Sequence, residues 1–252
     1  MLSTNDKVIL PAKVFSEKRY AEQFLEGKLY ANRLSEFKCI EDDLTRGDEY
    51  EGGVMIDPDG ILMEIQSEDQ ETGESQKVVL EGQDFGSSIK MKLPYFDDLN
   101  LFCMYGGRLG DLALTPENTD AIKERLSLSE KYHDFGDHVV VITNAKEFIN
   151  RFVIAANRER YDLEYDFVTY FDSEVGTSLI PESIETIFAK RKEYAWQEEF
   201  RFAFNTFTQG EQAVILDIGS IADIAFLGST SDMINPSIKI LQNDGEPSMP
   251  DE

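Results

Sequence analysis

The chain has 252 residues, with 49 acids against 24 bases and a formal net charge of −25. That imbalance argues against broad nucleic-acid binding, which rests on cations displacing counterions from phosphates, and it suits solubility or a basic partner. A hydrophobic fraction of 41%, with 11% aromatic residues, excludes a largely disordered chain and supplies a sizeable core.

The first residues, Met1-Leu2-Ser3-Thr4-Asn5-Asp6, lack the basic and apolar stretches of a signal peptide. No apolar run approaches the length of a bilayer span. Cys39 and Cys103 lie far apart beside apolar neighbours, without metal-ligand spacing, as reduced thiols do. Together these features predict a cytoplasmic protein with no membrane partner.

Lys13 to Ser16 reads as the end of a strand, followed by a helix through Tyr20, Phe24 and Leu25. Ser16 is placed to cap that helix and Gly27 to stop it. Lys28 to Asn32 continues as a strand, so the chain opens strand-helix-strand. An acidic, glycine-containing loop follows from Glu41 to Gly53. Val54-Met55-Ile56 and Ile61-Leu62-Met63 flank Asp57-Pro58-Asp59-Gly60, a turn signal that predicts a hairpin. The polar, acidic residues 67–76 read as a mobile connection.

Strands follow near 77–81 and 88–93, and Leu99 to Tyr105 has the apolar character of a central strand. Pro116 opens a helix to about Leu126, with Thr115 in the capping position. Val139 to Ile142 is a buried strand, and Lys146 to Arg158 is a helix with Phe148, Phe152 and Ala156 on one face. Further strands are expected at 163–171, 198–205, 212–217 and 223–227. Residues 242–252 combine four acids and two prolines with no base, as in a disordered tail. The sum is one mixed α+β domain over residues 1–241, with mainly antiparallel sheets and packed helices.

The segment Lys190 to Phe204 concentrates polar chemistry beside Trp196, the one tryptophan of the chain. Side chains alternate along a strand, which puts Gln197, Glu199 and Arg201 on one side and Glu198, Phe200 and Phe202 on the other. A face carrying an amide, an acid and a guanidinium must be solvated or paired, and a cleft does either. Glu199 can accept a hydrogen bond from a sugar hydroxyl or face developing positive charge, Arg201 can hold a phosphate, and Trp196 and Tyr194 can stack on a planar ring. A solvated strand face with rim packing of the aromatics is the plainer alternative.

In the acidic loop, Asp48 and Glu51 are spaced to orient a hydroxyl or a cation; an exposed loop is the alternative. His133, in Lys131-Tyr132-His133-Asp134, has acid-base chemistry near neutrality but also reads as an isolated surface histidine. Tyr105-Gly106-Gly107-Arg108-Leu109-Gly110 lacks the Gly-Lys-Ser/Thr ending of a phosphate loop.

The order of these motifs resembles a widespread bacterial and phage family of unknown function. Its members open with a Y-K-Y-like strand, continue with an F-N-D-P-x-E-like loop and a cysteine-containing strand, and close with an E-x-E-x-R strand. Lys13-Val14-Phe15 matches the opening strand, Gly47-Asp48-Glu49-Tyr50-Glu51 the loop, and Leu101-Phe102-Cys103-Met104-Tyr105 the cysteine strand. Gln197-Glu198-Glu199-Phe200-Arg201 matches the closing strand. Gly47, Glu49 and Gln197 depart from the pattern, replacing Asn, Pro and the first Glu.

That family is similar in layout to ADP-ribosyltransferases, with a strand-helix-strand opening and a late strand bearing Q-x-E or E-x-E. The resemblance implies an ADP-ribosyltransferase-like α+β fold and NAD as the nucleotide, in a toxin or defence effector or a phage counterpart. It implies Glu199 and Gln197 as catalytic residues. Lys13, Asp48, Glu51, Tyr170, Trp196 and Arg201 would surround the nucleotide. The alternative from charge alone is a non-catalytic acidic inhibitor or decoy that binds a basic protein. A third reading uses Asp48, Glu51 and Glu199 to hold Mg²⁺ in a hydrolase; no lysine lies two residues beyond the strand carboxylate, which counts against it.

Overall fold

A computed structural model describes residues 10–39, 52–56, 62–68, 75–84, 89–92, 96–172, 183–208 and 213–241. Within them the chain runs β1 (Leu10–Phe15), α1 (Lys18–Leu25), β2 (Lys28–Arg33), α2 (Leu34–Cys39), β3 (Gly53–Ile56), β4 (Leu62–Glu68), β5 (Ser75–Glu81), β6 (Ile89–Lys92) and β7 (Leu99–Gly107). It continues with α3 (Thr119–Leu126), β8 (His138–Ile142), α4 (Ala145–Glu159), β9 (Asp162–Phe167), β10 (Thr169–Phe171) and β11 (Ala189–Arg191). β12 (Glu199–Asn205), β13 (Val214–Asp217), β14 (Ala225–Ser229) and α5 (Thr230–Ile234) complete the order. This is a mixed α+β architecture with mainly antiparallel sheets. None of its helices, among the described residues, is long and apolar enough to cross a membrane.

The principal sheet has eight strands in the order β13-β2-β7-β1-β8-β14, with β12 and β9 branching from β7. β7 is its hub. Along one edge it pairs with β12 over the whole length from Leu99 to Tyr105. Along the other edge it is shared: Asn100 and Leu101 pair with the end of β2, whereas Tyr105 to Gly107 pair with the start of β1. Between them, Phe102, Cys103 and Met104 have no strand partner on that side among the described residues. The sheet divides there: the β1–β7 register ends at Ala12, while β1 continues along its other edge with β8 from Ala12 to Phe15.

Alternation along the strands covers both faces. One face carries Phe102, Met104, Val140, Ile142, Phe200, Phe202 and Phe204, which pack with Phe24 of α1 and Phe148 and Phe152 of α4. The opposite face carries Leu101 and Ala203 beneath Ile187 and Phe188, and Tyr105, Val139 and Val141 beneath Tyr132 and Met233. Gly106 sits where two of these layers close: a Cβ there would lie 2.6 Å from the Phe167 ring and 2.8 Å from Phe200.

Several local expectations are corrected. Val54 to Ile56 does not pair with the next strand: β3 pairs with β6, and β4 with β5, so a long hairpin is inserted inside a shorter pairing. The Asp57–Gly60 turn signal lies outside the described residues. Residues 67–76 are not all connection, since β4 reaches Glu68 and β5 begins at Ser75. Glu17, not Ser16, occupies the N-cap of α1, and its side chain makes no capping bond. Thr115 caps a 3-10 turn at Pro116–Asn118 rather than α3 itself. The 163–171 segment breaks into β9 and β10, and β10 leaves the sheet to pair in parallel with β11. The 242–252 tail lies outside the described residues.

Candidate functional site

The polar face of β12 is assembled from its neighbours in the fold. Glu199 and Arg201 point away from the phenylalanine layer, and the stretch from Ile184 to Gln197, two 3-10 turns joined by β11, lies across them. Lys190 Nζ donates to Glu199 Oε2 at 2.6 Å and to the Gln197 side-chain oxygen at 3.0 Å. Arg201 closes the other side: its Nε donates to Glu199 Oε1 at 2.7 Å, and its Nη1 to the carbonyl of Ile187. Glu199 is 5% exposed and Arg201 is fully buried. Alternation places Glu199 and Arg201 on one side of β12 as expected, whereas Gln197 ends the preceding 3-10 turn and joins them through Lys190.

Glu198 does not follow the alternation. It sits before the strand in a left-handed conformation (φ 40°), and its carboxylate approaches Arg125 at 3.7 Å. Burial of this carboxyl raises its pKa, partly offset by Arg125 and Arg108. The twist lets the Glu198 carbonyl accept from Gly106 N–H at 2.8 Å while the Glu199 carbonyl accepts from Val168 N–H at 2.9 Å. β12 thereby engages β7 on one side and the β9–β10 junction on the other from its first residue.

Burial alone would raise the pKa of Glu199, but the charges of Arg201 and Lys190 outweigh it and hold the carboxyl well below the usual carboxylate range. It is an anion throughout the neutral range. The thiol of Cys103, opposite Arg201 in the register, goes the other way: burial and the Glu199 charge push it up to about 12. Two tyrosines tie in the backbone. Tyr132 donates to the Gln197 carbonyl at 2.6 Å, and the Tyr170 hydroxyl accepts from Glu199 N–H at 2.9 Å. Burial raises the pKa of both phenols, so both remain neutral donors and acceptors.

This network forms part of the floor of a cleft of about 740 Å³ that opens where the sheet divides. Lys13, Lys190, Gln197, Glu199 and Arg201 all line it, as do the unpaired central residues of β7. Lys13 bridges the division: its Nζ donates to the Cys103 carbonyl at 2.5 Å and lies 4.6 Å from the Phe102 ring centroid. Tyr20, Tyr30 and Ile215, all exposed, form an apolar and aromatic lip beside Lys28, which pairs with Asp217. The volume falls within the ~300–1,000 Å³ of small-molecule sites.

Two of the expected site residues stand apart from this cleft. Trp196 packs edge-on to Tyr132 at 5.4 Å and beside Phe135 at 6.0 Å, with Lys131 over its ring, and does not line the cleft. Tyr170 supports the floor from behind Glu199 rather than lining the opening. Asp48 and Glu51 lie outside the described residues. His133 is exposed, 3.8 Å from Asp137, and takes no part. No group of three side chains able to hold a metal ion occurs among the described residues.

Sequence reasoning missed Lys190, Tyr132, Tyr20 and Tyr30 as site residues. Lys190 had a signal, because a basic residue shortly before a polar strand face is placed to fold back on it. The tyrosines had none, since their place depends on where the sheet divides. No protein-family model matches the chain, and no curated protein or solved structure matches it.

Proposed function

We propose that the cleft takes a nucleotide, NAD being the first choice, and that the chain is an ADP-ribosyltransferase-like enzyme with the fold that name implies. One observation carries the reading: an early-strand base, Lys13, and the late-strand Gln197 and Glu199 line a single cleft at the division of the sheet. The donor chemistry fits such a ligand. Lys13 brings a cation to the cleft for a pyrophosphate, and Tyr20 and Tyr30 offer rings for stacking.

NAD supplies an ADP-ribosyl group whose bond to nicotinamide breaks towards positive charge on the ribose. Glu199, ionised at neutral pH, is the carboxylate facing that charge, and Gln197 orients the acceptor. Such fixed charge acts by electrostatic stabilisation. Both oxygens of Glu199 are engaged by bases, so this role requires Lys190 to yield Oε2 to the ligand. Nicotinamide release by wild type and Glu199→Gln tests the assignment, with a thermal melt to verify folding. A loss of roughly 10²–10³-fold with NAD binding retained is expected; release unchanged by the substitution refutes it.

The second reading, a non-catalytic acidic protein that engages a basic partner, is favoured by those same engaged oxygens, which let Glu199 serve as a buried strut. It predicts no turnover of NAD, wild type included.

A further inference from the structure

The two groups on which the proposed chemistry rests are capped by one ammonium. Lys190 Nζ donates to Glu199 Oε2 at 2.6 Å and to the Gln197 side-chain oxygen at 3.0 Å. While it stays there, neither oxygen is offered to a ligand. Of the two bases on Glu199, Lys190 is the one placed to leave. Arg201 is fully buried and pinned at three points: its Nε and Nη2 each lie 2.7 Å from Glu199 Oε1, and its Nη1 donates to the Ile187 carbonyl. Lys190 lines the cleft, with its charge at the end of a flexible four-carbon stem. It stands on β11, which pairs with β10 apart from the principal sheet.

Its departure has a condition. Lys190 is only 6% exposed, and at that depth an ammonium taken from its carboxylate needs another anion. A hydroxyl offers a dipole where a full charge is lost, whereas a phosphate oxygen offers both charge and lone pairs. The cleft favours such an oxygen. Among the described residues its charged lining is four bases, Lys13, Lys28, Lys190 and Arg201, against the one acid Glu199, in a chain of net charge −25.

We propose that Lys190 is a positioning residue that passes from Glu199 to a phosphate oxygen of the ligand, so that only a phosphorylated nucleotide uncovers Glu199 and Gln197. This rests on the nucleotide reading of the cleft and adds a requirement to it: the phosphate unlocks the site as well as binding to it. The exchange frees Glu199 Oε2 and the Gln197 oxygen in one movement, while Arg201 keeps its hold on Oε1. A nucleoside with the same sugar and base leaves Lys190 where it is and meets a carboxylate already neutralised.

The test is calorimetric titration of the full chain with NAD and with nicotinamide riboside, which carries the same sugar and cationic ring but no phosphate. Wild type is expected to bind NAD about tenfold or more tightly than the riboside. Lys190→Met keeps much of the stem and removes the charge. It should weaken NAD about tenfold and tighten the riboside, whose cationic end then meets an uncovered Glu199 oxygen. A loss of packing would weaken both ligands together, and a thermal melt verifies folding. Wild type supplies a second arm that needs no variant: millimolar phosphite should tighten riboside binding about tenfold by drawing Lys190 from Glu199. Parallel weakening of both ligands in Lys190→Met, or phosphite that competes with the riboside or leaves it unchanged, overturns the proposal while NAD binding by wild type keeps the nucleotide reading. Failure of wild type to bind NAD refutes that reading and the exchange with it.

Discussion

The two faces of β12 are made from alternate residues of one strand, yet they are held by different physics. The side chains of Phe200, Phe202 and Phe204 meet α4 and β9 in the hydrophobic core; Phe152 stacks on Phe202 with centroids 4.0 Å apart and planes 8° from parallel. Glu199 and Arg201, one residue away, are equally buried but meet Lys190, Gln197 and the Ile187 carbonyl. On the first face stability scales with volume filled. On the second it depends on every charge keeping its partner, because an ion left without one in a low-dielectric site carries its full desolvation cost.

The sharpest way to break this contrast is to damage each face once and then more than once. Arg201→Ala strands the Glu199 carboxylate beside a single base and should cost about 3–5 kcal/mol. Phe202→Ala, which leaves a cavity, should cost a similar amount, about 3–5 kcal/mol. The multiple variants separate them. Replacing Lys190, Glu199 and Arg201 together by Met, Leu and Met should recover most of the loss, since no charge remains to be stranded. Adding Phe152→Ala to Phe202→Ala should only deepen it. Urea unfolding measures all four, and an Arg201→Ala cost below about 1 kcal/mol would mean that the polar face is not held by pairing.

A smaller effect follows from pH. The folded-state pKa of Glu199 lies below its unfolded value of about 4.3. Its contribution to stability is therefore complete above that value and is lost as pH falls through the folded one. The stability gap between wild type and Glu199→Gln should hold steady from about pH 7 to about pH 5 and then narrow by half or more towards pH 2. A gap that already narrows near neutral pH would show that the carboxyl is not paired as described. The apolar face offers no such dependence, and Phe202→Ala should track wild type over that range.

How much of this was legible beforehand differs between the same two faces. The phenylalanine periodicity of β12 and the Phe148, Phe152 stripe of α4 located the core, because burial follows directly from period and hydropathy. Alternation also put Glu199 and Arg201 on one side; Gln197, expected with them as part of the strand, reaches them from a 3-10 turn instead. It could not show that Lys190 turns back onto them, because that depends on 3-10 turns at Ile184–Phe188 and Lys192–Gln197, which have no strong periodic signature. Nor could it show that the sheet divides opposite Phe102 to Met104, since β7 reads as one uninterrupted apolar strand. The Asp57–Gly60 signal misled for a related reason: local turn chemistry reports a reversal, whereas the partner of β3 is decided by β6, far along the chain.

The smallest effect concerns Cys103 of β7, opposite Arg201 on the polar side. Its thiol lines the cleft, yet burial and the Glu199 carboxylate push its pKa up to about 12. Because the thiolate is the reactive form, alkylation by iodoacetamide at pH 8 in a Cys39→Ser background should run more than about a hundredfold slower than for a free thiol of pKa near 8.5. Glu199→Gln removes one cause of the shift and leaves the burial, so the rate should rise severalfold without reaching the free-thiol value. A wild-type rate matching the free thiol would mean that water reaches the floor of the cleft and screens the charges on it. The pairing that separates the polar face of β12 from a solvated one would then be lost.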